Sequence, residues 1–439
     1  MMHLPAGWTW ATVGEVCEIN PRRFDDMPDD GGLISKVPMA AVEAESGRLD
    51  ASQLVEYGSV KGRSLTPFQE NDVLFAKVTP CMENGKIALA EGLHGGRAVG
   101  STELFALRSR GAVEPQYLMY YLLQSSVRRR AEHAMTGAVG LRRVPRAFLS
   151  SLPIPLPPLE EQRRIGIAVE GRISRLRDGI STLQHVNALL SSWREATLMR
   201  AFRGNLVEED LSEGNASELC GGFTAEPVEG PWLLPDQWVW FRMGELFTVS
   251  VGATPSRSNS SLWGGGIPWV SSGEVAFNHI DHTRETISIA ALTDPESRIH
   301  PPGTVMLAMI GEGKTRGQAA ILDISAAHNQ NCASIRVSET PILPEYIYWF
   351  LYLRYNENRQ AASGGNQLAL NKRKIQNILV PLAPLGTQRK IVTILESVDL
   401  QITRTTGMVR DATEYAQHLK EKIYSAAFSG LLGSNGSKP

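Results

Sequence analysis

Two segments of the chain carry the same pair of anchors. PLPPLEEQRRI at 155–165 returns as PLAPLGTQRKI at 381–391, and AFRGNL at 201–206 returns as AFSGLL at 427–432, both at an offset of 226. Nothing has been inserted or lost between the anchors. That is what a helix requires, because one extra residue turns everything beyond it by about 100° around the axis. Prolines precede each segment (Pro157, Pro158; Pro384) and glycines close it (Gly204, Gly430). Proline is tolerated at a helix entrance and glycine provides a left-handed stop, so long helices are predicted at 158–206 and 384–432.

The apolar spacing adds a partner to each helix. Ile391, Leu395, Val398, Ile402, Thr405, Val409, Ala412, Ala416, Leu419 and Ile423 alternate at four and three, and so do Val169, Ile173, Leu176, Ile180, Leu183, Asn187 and Leu190. This is a coiled-coil seam, with Asn187 as a polar register pin. Gly166, Gly171 and Gly179 lie inside the first helix. Each costs roughly 1 kcal/mol against alanine, and close packing is expected to compensate.

Other matches extend the repeat to the whole chain. LPAGWTW at 4–10 returns as LPDQWVW at 234–240, EPQYLMYYLL at 114–123 as LPEYIYWFLY at 343–352, and TGAVGL at 136–141 as SGGNQL at 363–368. The chain is thus two copies of one unit: domains at 1–157 and 231–383, each followed by its helix, with a linker at 207–230 and a tail at 433–439. The middles differ, since 33–66 has no counterpart in 254–275. Short β-rich runs (Val73 to Val78, Thr304 to Ile310) and helices expected from Tyr117 to Arg130 and Tyr346 to Arg359 make the fold class α+β. The linker holds seven acids and no Lys or Arg, and reads as solvated and mobile. Its 24 residues reach at most about 80 Å, against about 70 Å for a helix of this length. Parallel helices would stretch it taut. The expected arrangement is an antiparallel coiled-coil rod with pseudo-twofold symmetry and a domain at each end.

Most chemistry is excluded. Four scattered cysteines form no CxxC pair, and no apolar run approaches a membrane span, which fits a cytoplasmic protein without a signal peptide. AMIGEGKT at 308–315 loosely resembles a phosphate-binding loop, but the strand-like RGQAAILDI that follows favours a β-hairpin turn. His279 and His282 have no further His or Cys beside them and read as ordinary surface or packing histidines. GxSxG, HExxH, glycine-rich dinucleotide and Asn/Asp-Pro-Pro-aromatic motifs are absent. No catalytic residue, metal site or cofactor is assigned.

Net charge is only −2, so any nucleic-acid role must rest on local patches. One such patch is Arg128, Arg129, Arg130, Arg142, Arg143 and Arg146, six arginines within 19 residues that hold one acid, Glu132. At the matching place in the second copy, Arg354, Arg359, Lys372, Arg373 and Lys374 flank Ser363, Gly364, Gly365, Asn366 and Gln367. This mixture suits phosphate and base-edge contacts. DNA-contact candidates are Arg63, Lys77, Lys86, Arg142, Arg143, Arg146, Arg257, Arg316, Gln367, Lys372, Arg373 and Lys374.

With these residues in view, the chain resembles a type I restriction-modification specificity subunit. The domain-plus-helix duplication, the anchors PLPPLEEQRRI and PLAPLGTQRKI, and the closures AFRGNL and AFSGLL carry the likeness. Within the domains VPMAAVEAESG, DVLFAKVTPCMENGK, WGGGIPWVSSGEV and NQNCASI carry it further. The resemblance implies a non-catalytic reader of double-stranded DNA. Each target-recognition domain would read half of a split, asymmetric target. The helices would dock two DNA adenine methyltransferase subunits, through residues such as Gln162, Arg163, Gln388 and Arg389, and restriction/translocase subunits would join. S-adenosylmethionine would then be the methyltransferase's cofactor. The rival readings are a coiled-coil scaffold without DNA and an ATP-binding enzyme.

Overall fold

The structure is a computed structural model that describes residues 4–138, 140–220, 227–311, 313–360 and 370–432. It divides into two compact units, Met1–Gln184 with Arg410–Pro439, and His185–Val409. The divisions fall inside the long helices, so each unit holds one domain, the start of its own helix and the end of the other.

In the first unit the central sheet has the order Cys17–Ile19, Leu104–Ser109, Val73–Ala76, Ile87–Leu89, all antiparallel. Its strands are apolar on both faces because both are covered. Val73, Phe75, Ile87, Phe105 and Leu107 pack toward the helix Pro115–Leu123. The alternate residues Leu74, Ala76, Ala88, Leu104 and Ala106 join Val37, Phe68 and Ala98 of a second sheet. That sheet runs Leu54–Glu56, Leu33–Val37, Arg97–Gly100, Thr66–Gln69, with one parallel pair. Successive strand residues point to opposite faces, so one strand serves two cores.

The second unit repeats this logic. Val305, Leu307, Ala319, Ile321 and Ile335 face the helix Pro344–Leu353, while Met306, Ala308, Ala320, Leu322 and Cys332 face Val270, Val275 and Ile280. Its sheets run Val249–Val251, Cys332–Ile335, Val305–Ala308, Ala319–Leu322, Asn278–Ile280 and Glu285–Ile287, Trp263–Val270, Ala327–His328. The strand Ala319–Leu322 pairs antiparallel with Val305–Ala308. The AMIGEGKT segment therefore closes a hairpin and opens no helix. The two predicted medium helices are each broken in two, into Pro115–Leu123 and Ser125–His133, and into Pro344–Leu353 and Tyr355–Gln360. Gln124 breaks the first by adopting ψ 136°, outside the helical region.

The long helices span Leu159–Phe202 and Leu385–Phe428, 44 residues each. Each is fixed to its own domain by the same glutamine. Gln162 Oε1 accepts from the Glu114 N–H at 2.8 Å and its Nε2 donates to the Pro157 carbonyl at 2.9 Å. Gln388 repeats both bonds with the Leu343 N–H and the Ala383 carbonyl, at 3.1 and 2.8 Å. Both side chains are buried, so these two glutamines hold the helix in place and turn away from any partner. The expectation that they form a docking face is corrected on that ground. Arg163 and Arg389 remain exposed.

The far end of each helix docks on the other domain. Phe428 stacks edge-on against Tyr117 and Tyr121, with ring centres 5.0 and 5.4 Å apart. Phe202 meets Tyr346 and Phe350 at 5.1 and 5.2 Å. Within the first unit the two helix segments run in opposite directions. Glu170 and Tyr424 both meet Tyr120, while further along Arg177 and Lys420 reach Ser46 and Glu45. The glycines that end the helices, Gly204 (φ 75°) and Gly430 (φ 80°), lie against Pro235 and Pro5, where an added Cβ would overlap the proline ring. The LP of each domain's opening thus meets the glycine closing the opposite helix.

Three expectations are corrected here. Asn187 is exposed and half-buried Val186 takes its place, since the apolar neighbour is the one that gains by burial. Ala412 is likewise exposed, with Thr413 turned inward. The acidic linker is not wholly solvated: Glu213 accepts from the Thr387 N–H at 2.7 Å and its carboxylate pairs with Lys390 at 3.2 Å. An acid at a helix start is favoured by the helix dipole.

Of the three helix glycines, close packing explains only Gly166, where a Cβ would press on Gln116; Gly179 faces open space. Gly179→Ala is therefore expected to stabilise the chain by up to about 1 kcal/mol. Gly204→Ala is expected to destabilise it by at least about 1 kcal/mol, since alanine resists positive φ and would also displace Pro235. Thermal denaturation of both variants checks the opposite signs.

Candidate nucleic-acid interface

The strand Val73–Ala76 ends in a loop on which Lys77 and Lys86 stand. A second loop pairs with it, through the Thr79 N–H to the Arg142 carbonyl at 3.0 Å and the Val144 N–H to the Lys77 carbonyl at 2.8 Å. This backbone pairing brings together residues far apart in sequence. The Lys77 ammonium lies 5.2 Å from the Phe105 ring centre, and Arg142 and Arg143 stand beside it. Arg143 makes a two-pronged ion pair with Glu103, 2.9 Å for each bond. The guanidinium's hydrogen bonds hold the Glu103 carboxyl below the usual carboxylate range. Arg142 pairs with Glu83 at 3.1 Å.

Other candidates are placed differently. Arg146 donates to the Ile19 carbonyl at 2.9 Å, and the Lys86 ammonium donates to the Met39 carbonyl at 2.8 Å. Arg128 is tied to the Glu83 carbonyl and to Glu45, so it braces the fold. Arg63 belongs to a separate group that sequence reading missed, in which it lines a 200 Å³ cavity with Arg22, Arg23 and Lys61. The adjacent pair at 22–23 was the available signal.

In the second unit Arg257 lies over Trp263, its guanidinium carbon 3.8 Å from the ring centre, and pairs with Glu285. The Glu285 carboxyl is held low by that hydrogen bond. Both tryptophans of this stretch, Trp263 and Trp269, lie in the segment 254–275, which does not match the first copy. Next to Trp263 the run Gly264–Gly266 forms a bulge: Trp263 and Ile267 both oppose Ile287. Bulges of this kind re-aim side chains beside functional sites. Gly265 packs its backbone on Ser288, leaving no room for a side chain.

Lys372, Arg373 and Lys374 open the short helix Lys372–Gln376, capped by Asn371, which accepts from the Lys374 N–H at 2.9 Å. Arg316, by contrast, is buried at 8% exposure; it packs in the interior and does not stand at the surface as expected. Gln367 lies outside the described residues. Among those described no group of His, Cys, Asp and Glu forms a metal site, and His279 and His282 bond to Asp323 and Asp281.

Nothing in the linear sequence marks the carboxylates paired with Arg142, Arg143 and Arg257. A phosphate approaching Arg143 or Arg257 competes with Glu103 or Glu285 for the guanidinium. Glu103→Gln is expected to raise affinity for duplex DNA severalfold at low salt, because a neutral amide releases the guanidinium; fluorescence anisotropy would detect it.

Two α/β modules with shared frames and dissimilar cation-bearing loops, each seated by a glutamine on a long helix, define a tandem recognition protein on helical supports. The family model of the type I restriction modification DNA specificity domain matches residues 5–175 and 235–408, and the chain belongs to that family. It is a specificity subunit with two target-recognition domains. Relatives include the Escherichia coli EcoEI specificity subunit, 24% identical over 97% of this chain and 83% of its own length, and the EcoAI specificity subunit at the same identity and shares. Among solved structures, a chain of a type I R-M system studied for complex assembly and conformational transition superposes with a TM-score of 0.70 at 22% identity, over 98% of this chain and all of that one. The HsdS subunit of Thermoanaerobacter tengcongensis gives 0.58 at 22%, over 98% of both chains. These likenesses show the fold.

Proposed function

We propose that the chain reads an asymmetric, bipartite DNA target, one half with each domain, and contributes no catalysis of its own. The observation that carries this is that similar frames, matched down to Gln162 and Gln388, hold unlike loops: Lys77, Arg142 and Arg143 in one domain, the Arg257–Trp263 stack in the other. Shared frames give shared placement, and different loops give different bases. DNA adenine methyltransferase subunits dock on the long helices, bringing S-adenosylmethionine as their own cofactor, and restriction/translocase subunits join them in the cytoplasm. Exposed Leu189, Trp193, Leu400, Met408 and Tyr415 on those helices supply apolar contact area for such partners. No described helix is long and apolar enough to cross a membrane.

Methylation mapping in cells expressing this chain with its neighbouring methyltransferase tests the reading. Exchange of residues 231–383 for a relative's domain should change one half of the mapped target and leave the other. A change in both halves would defeat the assignment. Replacing Arg142 and Arg143 together should flatten the salt dependence of DNA binding by roughly two in log–log slope, about one per lost phosphate contact.

A further inference from the structure

The two copies differ at one place where the frame predicts identity. In the second unit Trp240 of the strand Val239–Arg242 is covered by Val228–Trp232, at the entrance of the domain. The Val228 N–H donates to the Trp240 carbonyl at 3.0 Å, Gly230 packs on the indole, and Trp232 stacks edge-on against it with ring centres 4.7 Å apart. Trp232 is itself held by three groups: the Trp240 ring, the Phe202 carbonyl, which accepts from its indole N–H at 3.2 Å, and the Arg203 guanidinium, 5.7 Å from its ring. Trp240 is consequently 5% exposed.

By the repeat, those three residues correspond to Trp10, Phe428 and Ser429 of the first unit. All three line an open groove of about 550 Å³, and Trp10 is 41% exposed. Pro155, which faces Trp10 in the strand pair, has no N–H to offer its carbonyl. Met2, a residue without a ring, stands in sequence where Trp232 does. The groove walls also carry Arg129, Arg130 and Lys422 against a single acid, Glu421.

We propose that this groove is a docking site for an extended segment of a partner chain bearing a tryptophan-like aromatic with acidic flanks. The segment would lie as Val228–Trp232 does on the second unit, with a backbone N–H bonded to the Trp10 carbonyl, the aromatic ring against Trp10 and its N–H directed at the Phe428 carbonyl. Acidic residues beside it, as Glu229 is beside Trp232, would meet Arg129 and Arg130. This inference is independent of the DNA reading. It rests on the contrast between Trp240, buried under Val228–Trp232, and Trp10, exposed in its groove.

The probe is a synthetic peptide of residues 226–233, EPVEGPWL, added in trans to the full-length chain. In the second unit this segment is tethered, at an effective concentration on the order of millimolar, so the free peptide is expected to saturate with Kd on the order of 0.1–1 mM. Trp10→Ala should weaken binding at least tenfold, as should a peptide with its tryptophan replaced by alanine. The double variant Arg129→Glu with Arg130→Glu should weaken it severalfold. Trp10 is exposed, so an unchanged melting temperature is expected to accompany the loss. Absence of saturation up to several millimolar, or equal binding by wild type and Trp10→Ala, would overturn the proposal. Retained binding by the double variant with loss in Trp10→Ala would overturn the acidic flank.

Discussion

Truncating Phe428 to alanine is expected to cost the first unit about 3–5 kcal/mol, the usual range for removing a buried phenylalanine, and to leave the second unit's melting unchanged. The ring is 8% exposed and touches Tyr117 and Tyr121, whose hydroxyls donate to the Pro155 and Pro153 carbonyls. Its loss removes apolar burial and the edge-on aromatic contacts, worth about 0.5–1.5 kcal/mol each beyond area. Phe202→Ala should do the mirror-image thing, because Phe202 is fully buried against Tyr346 and Phe350. Hydrogen exchange resolved by segment would distinguish the units. In each variant protection should fall in the domain that receives the phenylalanine, which is not the domain whose own helix carries it. Equal loss in both would show that the docking is not local.

Acid is expected to weaken the second unit before the first. His300 and His328 are buried with ring centres 4.9 Å apart, both within hydrogen-bond distance of Ser334 Oγ. Arg336 donates to His300 Nδ1 at 3.1 Å, which requires that nitrogen to be unprotonated. Burial first, then the neighbouring cations, pushes His300 down to about 3, and burial pushes His328 down to about 4. Both are neutral when folded, while in the unfolded chain they take up protons below their ordinary value of 6.5. Their folded-state stability is complete above pH 6.5 and is lost progressively as pH falls from there toward 3–4. At about 1.4 kcal/mol per unit, the pair removes on the order of 5 kcal/mol by pH 4. Among the described residues of the first unit no histidine is buried. Hydrogen exchange at the strands Val305–Ala308 and Val73–Ala76 across pH 6.5–4 should show the second unit's strand losing protection first. Parallel loss at both would contradict the assignment.

The sequence was most legible where geometry leaves no slack. A helix copied without insertion announces itself by a constant offset; both long helices stop at Phe202 and Phe428, four residues short of the predicted ends at 206 and 432, because Gly204 and Gly430 take the left-handed conformation. The duplication, the α+β class and the hairpin at 308–315 followed from periodicity and turn residues. Side-chain direction was less legible. Gln162 and Gln388 stand beside exposed arginines, and only the Glu114 and Leu343 amide groups, dozens of residues away, show that they turn inward. Arg316 and Arg143 read alike as basic residues, yet one is buried and the other carries Glu103.

The sequence by itself therefore determined what is local or periodic: two copies, their helices, where those helices stop, and the family. Tertiary structure decided what depends on partners distant along the chain. It chose which phenylalanine fills which domain, which carboxylates hold Arg142, Arg143 and Arg257, and that Trp240 is covered while Trp10 is not. The physical reason is that burial and ion pairing are settled by where the chain returns in space, and a linear pattern carries no record of that return beyond the spacing of its own residues.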